Sequence, residues 1–204
     1  MSLLNNFPEW RASLKKNKWK ILIALFFLVI AVIFFWQAGD WVSDHSWSSV
    51  PDIILDHFGP YNLSFIFIWL FAIVVLVFIF YPFIFTHERF HYVLAMLALF
   101  LIARSVFMLF THIGAPVDAV KVDAPGALQF LTFSNDLFFS GHTGLPFLGF
   151  LIFRKNKKLR YFMLASSIIL AVTVLLMHVH YTIDVLSAFF ITYGLYKIGN
   201  SFLK

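Results

Sequence analysis

The sequence predicts an all-α, polytopic membrane protein, a bundle of six transmembrane helices, and three observations predict it. Of 204 residues 61% are hydrophobic and only 12% charged, about half the charged share of a soluble domain. The apolar residues, 28 Phe among them, gather into six stretches close to the length that crosses a bilayer. Finally, Lys and Arg fall into alternate connections, as the positive-inside rule requires of a multi-span chain.

Taken in order, residues 1–20 form a basic amino-terminal segment with Arg11, Lys15, Lys16, Lys18 and Lys20. The stretch at about 21–39 reads as a retained first helix. Bulky Trp36 stands where a signal-peptide cleavage site needs a small residue. A polar loop to Pro60 carries Trp and His, and a second span follows at about 61–82. The short turn His87-Glu88-Arg89 leads to a third span at about 92–113, which contains Arg104. Residues 114–136 form a loop with Gly, Pro and Asp. The fourth span, about 137–153, opens on Ser140, Gly141 and His142. A basic hairpin at 154–160 joins it to a fifth span at about 161–178, and the sixth runs from about 181 to 199 around Asp184. Residues 21–204 therefore read as one domain.

With six spans, thirteen of the fifteen Lys and Arg lie on the side of the two termini, which is then cytoplasmic; Arg104 and Lys121 are the exceptions. The other face collects eight of the ten acids and six of the eight histidines. This sorting excludes nucleic acid as the partner of the net charge of +5. Trp36, Trp41 and Trp47 read as anchors at the outer interface, and the basic hairpin as a contact for anionic lipid. The chain has no Cys, so disulfides, thiolate nucleophiles and Cys-ligated zinc are excluded.

Ionisable groups inside spans are costly and usually functional. Three segments supply them toward the outer side: Arg104, then Ser140-Gly141-His142-Thr143, then His178 to Asp184. His180 and Asp184 are four apart, so they share a face if the helix has begun by His180. A carboxylate that holds one imidazole nitrogen leaves the other free to attack, and His142 is a candidate partner acid. Arg104 offers a planar donor fork for phosphate oxygens. The bland alternatives are an interhelical hydrogen-bond set for His142, His180 and Asp184, and a pairing of Arg104 with Asp136 or Asp118. Asp136 either orients Arg104 or caps span four, and His178 reads as a supporting or neutral residue.

Ser140-Gly141-His142 and His180-x-x-x-Asp184 resemble the second and third signatures of the type 2 phosphatidic acid phosphatase superfamily. The resemblance implies that His180 attacks phosphorus to give a phosphohistidine, that Asp184 orients it, and that His142 is the general acid. The chain departs from the phosphatase pattern: Leu97 stands where a Lys is usual, Ser105 follows Arg104 in place of Pro, and Val174 replaces an Arg. Fewer cations imply a phosphodiester, with less charge to neutralise. Four segments are similar to motifs of the sphingomyelin synthase family: Val50-Pro51-Asp52 with Asp56-His57-Phe58, Arg104-Ser105-Val106-Phe107-Met108, Asp136 through Thr143, and His180-Tyr181-Thr182-Ile183-Asp184-Val185. That resemblance adds Asp52, His57, Asp136, Ser140, Gly141 and Tyr181 to Arg104 as substrate-binding candidates. Asp52 and His57 also suit a plain loop turn.

The leading expectation is a transferase that moves a phospho-head group from a membrane phospholipid to a lipid alcohol, a ceramide or diacylglycerol-like acceptor, with no cofactor and no metal. The alternative is hydrolytic: water resolves the same intermediate, as in a lipid phosphate phosphatase or a phospholipase C. A zinc hydrolase using His142, His178, His180 and an Asp fits less well, because His178 and His180, two apart, point away from each other on a helix. A non-catalytic lipid carrier is a fourth reading. The sequence places the site on the periplasmic, exoplasmic or lumenal side, leans toward a bacterial inner membrane, and is compatible with a homo-oligomer.

Overall fold

The computed structural model describes residues 7–45, 48–111, 113–126 and 138–203. Seven α-helices are present among them: α1 (Phe7–Lys16), α2 (Lys18–Asp44), α3 (Ser64–Phe85), α4 (Phe90–Phe110), α5 (Gly141–Ile152), α6 (Lys157–Leu176) and α7 (Thr182–Phe202). Asp136, Trp47 and His112 lie outside the described residues.

Four helices are long and apolar enough to cross a membrane: α2, α3, α4 with the 3-10 turn before it, and α6. The other two expected spans differ for physical reasons. Helix α5 has only 12 residues, roughly 18 Å at the α-helical rise, against a hydrocarbon core of about 30 Å. Helix α7 is 21 residues long, but Asp184, Ser187, Thr192, Lys197 and Asn200 dilute its hydropathy. Both helices carry the polar groups that the other four enclose.

Helix ends also move relative to the hydropathy pattern. Helix α2 continues through Asp40 to Asp44, because a helix does not have to stop where its residues turn polar. Helix α1 forms within the basic segment, docked by the Trp10 Nε1–H, which donates to the carbonyl of Phe83 at 2.9 Å. Arg104 lies six residues from the end of α4 at Phe110, roughly 9 Å of helix. The expected span to residue 113 had put it deeper.

Helix α2 packs chiefly on α4 and buries Ala24, Ala31 and Ala38. This seven-residue recurrence of small side chains lets two backbones approach closely where no hydrophobic driving force separates protein from lipid. Its other faces expose Phe26, Phe27 and Ile30, as a lipid-facing helix does. Helix α5 contacts α3, α4, α6 and α7, and most of its residues are buried. The main core surrounds it, with Val74 and Phe78 of α3, Met96 and Phe100 of α4, Leu148 of α5, Met163 and Leu170 of α6 and Ala188 of α7.

Candidate active site

The site is assembled where the first turns of α5 and α7 meet. Just before α5, Phe139 is fully buried with its ring edge-on to Phe100 and Phe107 of α4. Pinned there, its carbonyl accepts the Nε–H of Arg104 at 2.8 Å. Ser140 is the N-cap, its hydroxyl accepting the Thr143 N–H at 3.4 Å. The Ser140 N–H donates to the carbonyl of Asp184 at 3.1 Å. This backbone bond joins the two histidine-bearing motifs directly. On the α6 side the Ser167 hydroxyl donates to the Thr143 carbonyl at 2.8 Å.

Gly141 has a steric reason. A Cβ at this position would stand 2.9 Å from Cζ of Arg104 and 3.1 Å from its Nε and Nη1, so only glycine lets the guanidinium lie against the head of α5. Three residues on, a Cβ at Gly144 would meet Thr192 Oγ1 at 2.9 Å and Phe100 at 3.0 Å. The glycines of α5 are seats for neighbouring side chains.

His142 is buried and clamped between two rings of α3, Phe67 with centroids 3.9 Å apart and Phe71 at 4.0 Å. Phe67 and Phe71 are four residues apart on one helix face, so the sandwich fixes the plane of the imidazole. His142 lies within electrostatic reach of both His180 and Arg104.

His180 and Asp184 do meet, but not on a helix face. Helix α7 begins at Thr182 with Tyr181 as its N-cap, so His180 lies before it. The Asp184 carboxylate, in the first turn, reaches back: Oδ2 accepts the Tyr181 N–H at 2.8 Å and lies 3.5 Å from His180 Nδ1. Both side chains are almost completely buried. A buried carboxylate and imidazole in an apolar bundle are stable only with such partners.

Two further candidates, Asp52 and Tyr181, tie the loop after α2 to the head of α7. Asp52, buried in the loop after α2, accepts the Thr182 N–H on Oδ2 at 2.7 Å, and its Oδ1 accepts the Thr182 hydroxyl at 2.7 Å. Oδ1 also takes the N–H groups of Ile54 at 2.9 Å and Leu55 at 3.2 Å. Burial pushes this carboxyl up, but the donors of Thr182, Ile54 and Leu55 together outweigh it and hold the carboxyl below its usual 3.8. Asp52 therefore caps α7 from across the chain, where an anion also favours the helix dipole. The Tyr181 hydroxyl donates to the Gly114 carbonyl at 2.8 Å and accepts the Val50 N–H at 3.1 Å. His57 is exposed on the 3-10 turn Leu55–His57 and makes no hydrogen bond or ring contact with the other candidates among the described residues.

Sequence reasoning missed three features: the Phe67–His142–Phe71 stack, the Ser140–Asp184 backbone bond, and a second His–Asp pair. His178 Nδ1 lies 2.8 Å from Oδ1 of Asp118. The His178 N–H donates to the Leu175 carbonyl at 3.0 Å and the Val179 N–H to that of Val174 at 3.1 Å, the Schellman ending of α6. His178 thus takes the left-handed position that glycine usually fills, with φ 55°, at a strain of about 1–2 kcal/mol. In this position its side chain meets Asp118. The sequence puts His178 at the last position of the expected fifth span, and the structure ends that helix two residues earlier, at Leu176. Among the described residues no three His, Asp or Glu side chains converge to hold a metal ion.

Within the bundle, then, two histidines, a carboxylate and an arginine stand together at one end of four membrane-capable helices. No curated protein and no solved structure matches the chain significantly. Residues 134–201, which contain His142, His180 and Asp184 but not Arg104, match the family model described as PAP2 superfamily C-terminal. The match spans about a third of the chain, from the segment before α5 to the end of α7, and shows likeness to that family over the part that carries both histidines.

Proposed function

We propose that the protein is a lipid head-group phosphotransferase, similar to the sphingomyelin synthases, that works through a phosphohistidine at His180. The observation that carries the reading is the junction of the α5 and α7 heads, with the Ser140 N–H on the Asp184 carbonyl and Arg104 on the Phe139 carbonyl.

In the first step Nε2 of His180 attacks the phosphorus of a glycerophospholipid. The bond to the diacylglycerol oxygen breaks, and His142 gives its proton to that oxygen. Asp184, beside Nδ1, holds the ring and balances the positive charge that grows on it. Its 3.5 Å separation is the loose geometry common before substrate arrives. Arg104 neutralises the non-bridging phosphate oxygens. In the second step His142 takes the proton of a lipid alcohol, whose oxygen attacks phosphorus and releases His180. Ser140 and Gly141 shape the phosphate subsite, and Asp52 and Tyr181 support it from the loop side.

The chain sits as a six-helix bundle in which α5 is enclosed and α7 turns an apolar face with Ile183, Leu186 and Phe190 outward. Its termini are cytoplasmic and its site faces the periplasm, the cell exterior or an organelle lumen. The Lys and Arg distribution supports this orientation, and a bacterial inner membrane is the setting we favour. Hydrolysis of the same intermediate is the second reading, favoured by the PAP2 match itself.

The test is lipid mass spectrometry on purified wild-type and His180→Ala protein. Each is given phosphatidylcholine, phosphatidylethanolamine and phosphatidylglycerol, with and without ceramide. A new phospho-head-group lipid formed only by the wild type, and only with ceramide, is the expected result. Diacylglycerol release without acceptor, lost in the variant, makes the protein a hydrolase. Full turnover in His180→Ala overturns both readings.

A further inference from the structure

At the far end of the bundle, the length of α5 away from the histidines, lies a cavity of about 480 Å3. Arg89, Lys155, Lys157 and Lys158 border it, and no carboxylate does. Its floor is apolar, formed by Val93 and Phe153. The exposed Glu88 neighbours Arg89 in the chain but does not line the cavity.

We infer that this cavity binds the phosphate-bearing headgroup of an anionic phospholipid, in the leaflet opposite the His/His/Asp site. Three observations carry this independently of the chemistry at the other end. The first is the sorting of charge within the hairpin: Arg154 lies over the Tyr196 ring at 5.4 Å and Arg160 over Phe150 at 4.5 Å, whereas the three lysines border the cavity.

The second is electrostatic. Two helices start at this cavity, α4 with Arg89 as its N-cap and α6 with Lys157 and Lys158 as its first residues, and neither has an acid in its first turn. A helix start carries partial positive charge, so cations there are mutually unfavourable until an anion arrives. The third is that the wall is built. Asn156 Nδ2–H donates to the Tyr81 hydroxyl at 2.8 Å, and its Oδ1 caps α6 through the Leu159 N–H at 3.1 Å. The hairpin is thereby tied to α3. Basic pockets between membrane helices are headgroup sites of this kind. The apolar floor suits the glycerol and first methylenes of a lipid better than a free phosphate ion.

The test titrates purified full-length protein in neutral detergent with short-chain phosphatidylglycerol, short-chain phosphatidylcholine, or inorganic phosphate. Retained lipid is read by native mass spectrometry and the unfolding midpoint by thermal shift. Lys157→Ala/Lys158→Ala removes two cavity cations. Arg89→Gln removes one from a different element, and Lys15→Ala/Lys16→Ala removes two charges from α1 as a control. Phosphatidylglycerol should bind and raise the midpoint while phosphatidylcholine and phosphate do not. Its affinity should fall tenfold or more in the double cavity variant and about fivefold in Arg89→Gln, and stay within twofold in the control. Equal binding of phosphatidylcholine, equal loss in the control, or unchanged affinity in both cavity variants overturns the inference. Inorganic phosphate matching phosphatidylglycerol overturns the lipid assignment.

Discussion

Helices α2 and α5 are both apolar, and they are built in opposite ways. Helix α2 is 27 residues long, exposes large side chains on most of its surface and buries a narrow stripe of alanines. Helix α5 is 12 residues long, buries most of its surface and carries three glycines that receive Arg104, Thr192 with Phe100, and Met163. A helix that meets lipid is specified by hydropathy, which tolerates exchange of one large apolar residue for another. A helix that seats a polar site is specified by small residues and by what its first turn bonds. Substitutions on the two helices should therefore differ sharply in consequence.

The largest effects belong to the head of the α5–α7 junction. His180→Gln, His142→Gln and Asp184→Asn should each lower turnover about 10³-fold or more, while the unfolding midpoint of the detergent-purified protein stays near wild type. Parallel loss of midpoint and activity in all three would reduce the cluster to an interhelical hydrogen-bond set. Next comes Gly141→Ala, whose Cβ displaces the Arg104 guanidinium. An ångström of misplacement is worth about 10²-fold in rate. Gly149→Ala, at the other end of the same helix, meets the flexible Met163 side chain and should leave activity within about threefold. Assays of both variants at saturating and limiting donor separate turnover from binding.

Asp52→Asn should destabilise by about 1–3 kcal/mol, because charge-assisted bonds to Thr182 are weakened at a buried position. The effect depends on pH with a definite sign. The folded carboxyl lies below the 3.8 of the unfolded chain, so its contribution is fully present above that value and is lost as pH falls through the folded one. Thermal midpoints of wild type and Asp52→Asn should therefore converge on acidification below pH 3.8; a constant gap would remove the carboxylate from the clamp. On α2, Ala31→Leu should cost about 1–3 kcal/mol by overpacking against α4 with little change in turnover. Phe26→Leu, on the exposed face, should lie within about 0.5 kcal/mol of wild type.

The same contrast explains what was legible beforehand. The long lipid-facing helices announce themselves through uninterrupted apolar residues, and His142, His180, Asp184, Ser140 and Gly141 through their spacing and order. Phe67 and Phe71 are indistinguishable in sequence from the other 26 Phe, since only the crossing of α3 and α5 selects them. The Ser140–Asp184 bond uses backbone atoms, which no side-chain pattern encodes. Asp52 was legible as a loop acid, but its partner Thr182 is 130 residues away. Helix α1 was hidden because its charges made it read as a simple basic segment.

In the proposed reaction His180 carries the phospho-head group between donor and acceptor. Wild-type protein mixed with phosphatidylcholine and no acceptor, quenched in alkali to preserve an acid-labile phosphoramidate, and mapped by peptide mass spectrometry tests it directly. The expected result is a phosphocholine adduct on His180 that disappears when ceramide is added and is missing from His180→Ala. An adduct on another residue, or steady turnover in His180→Ala, would contradict it.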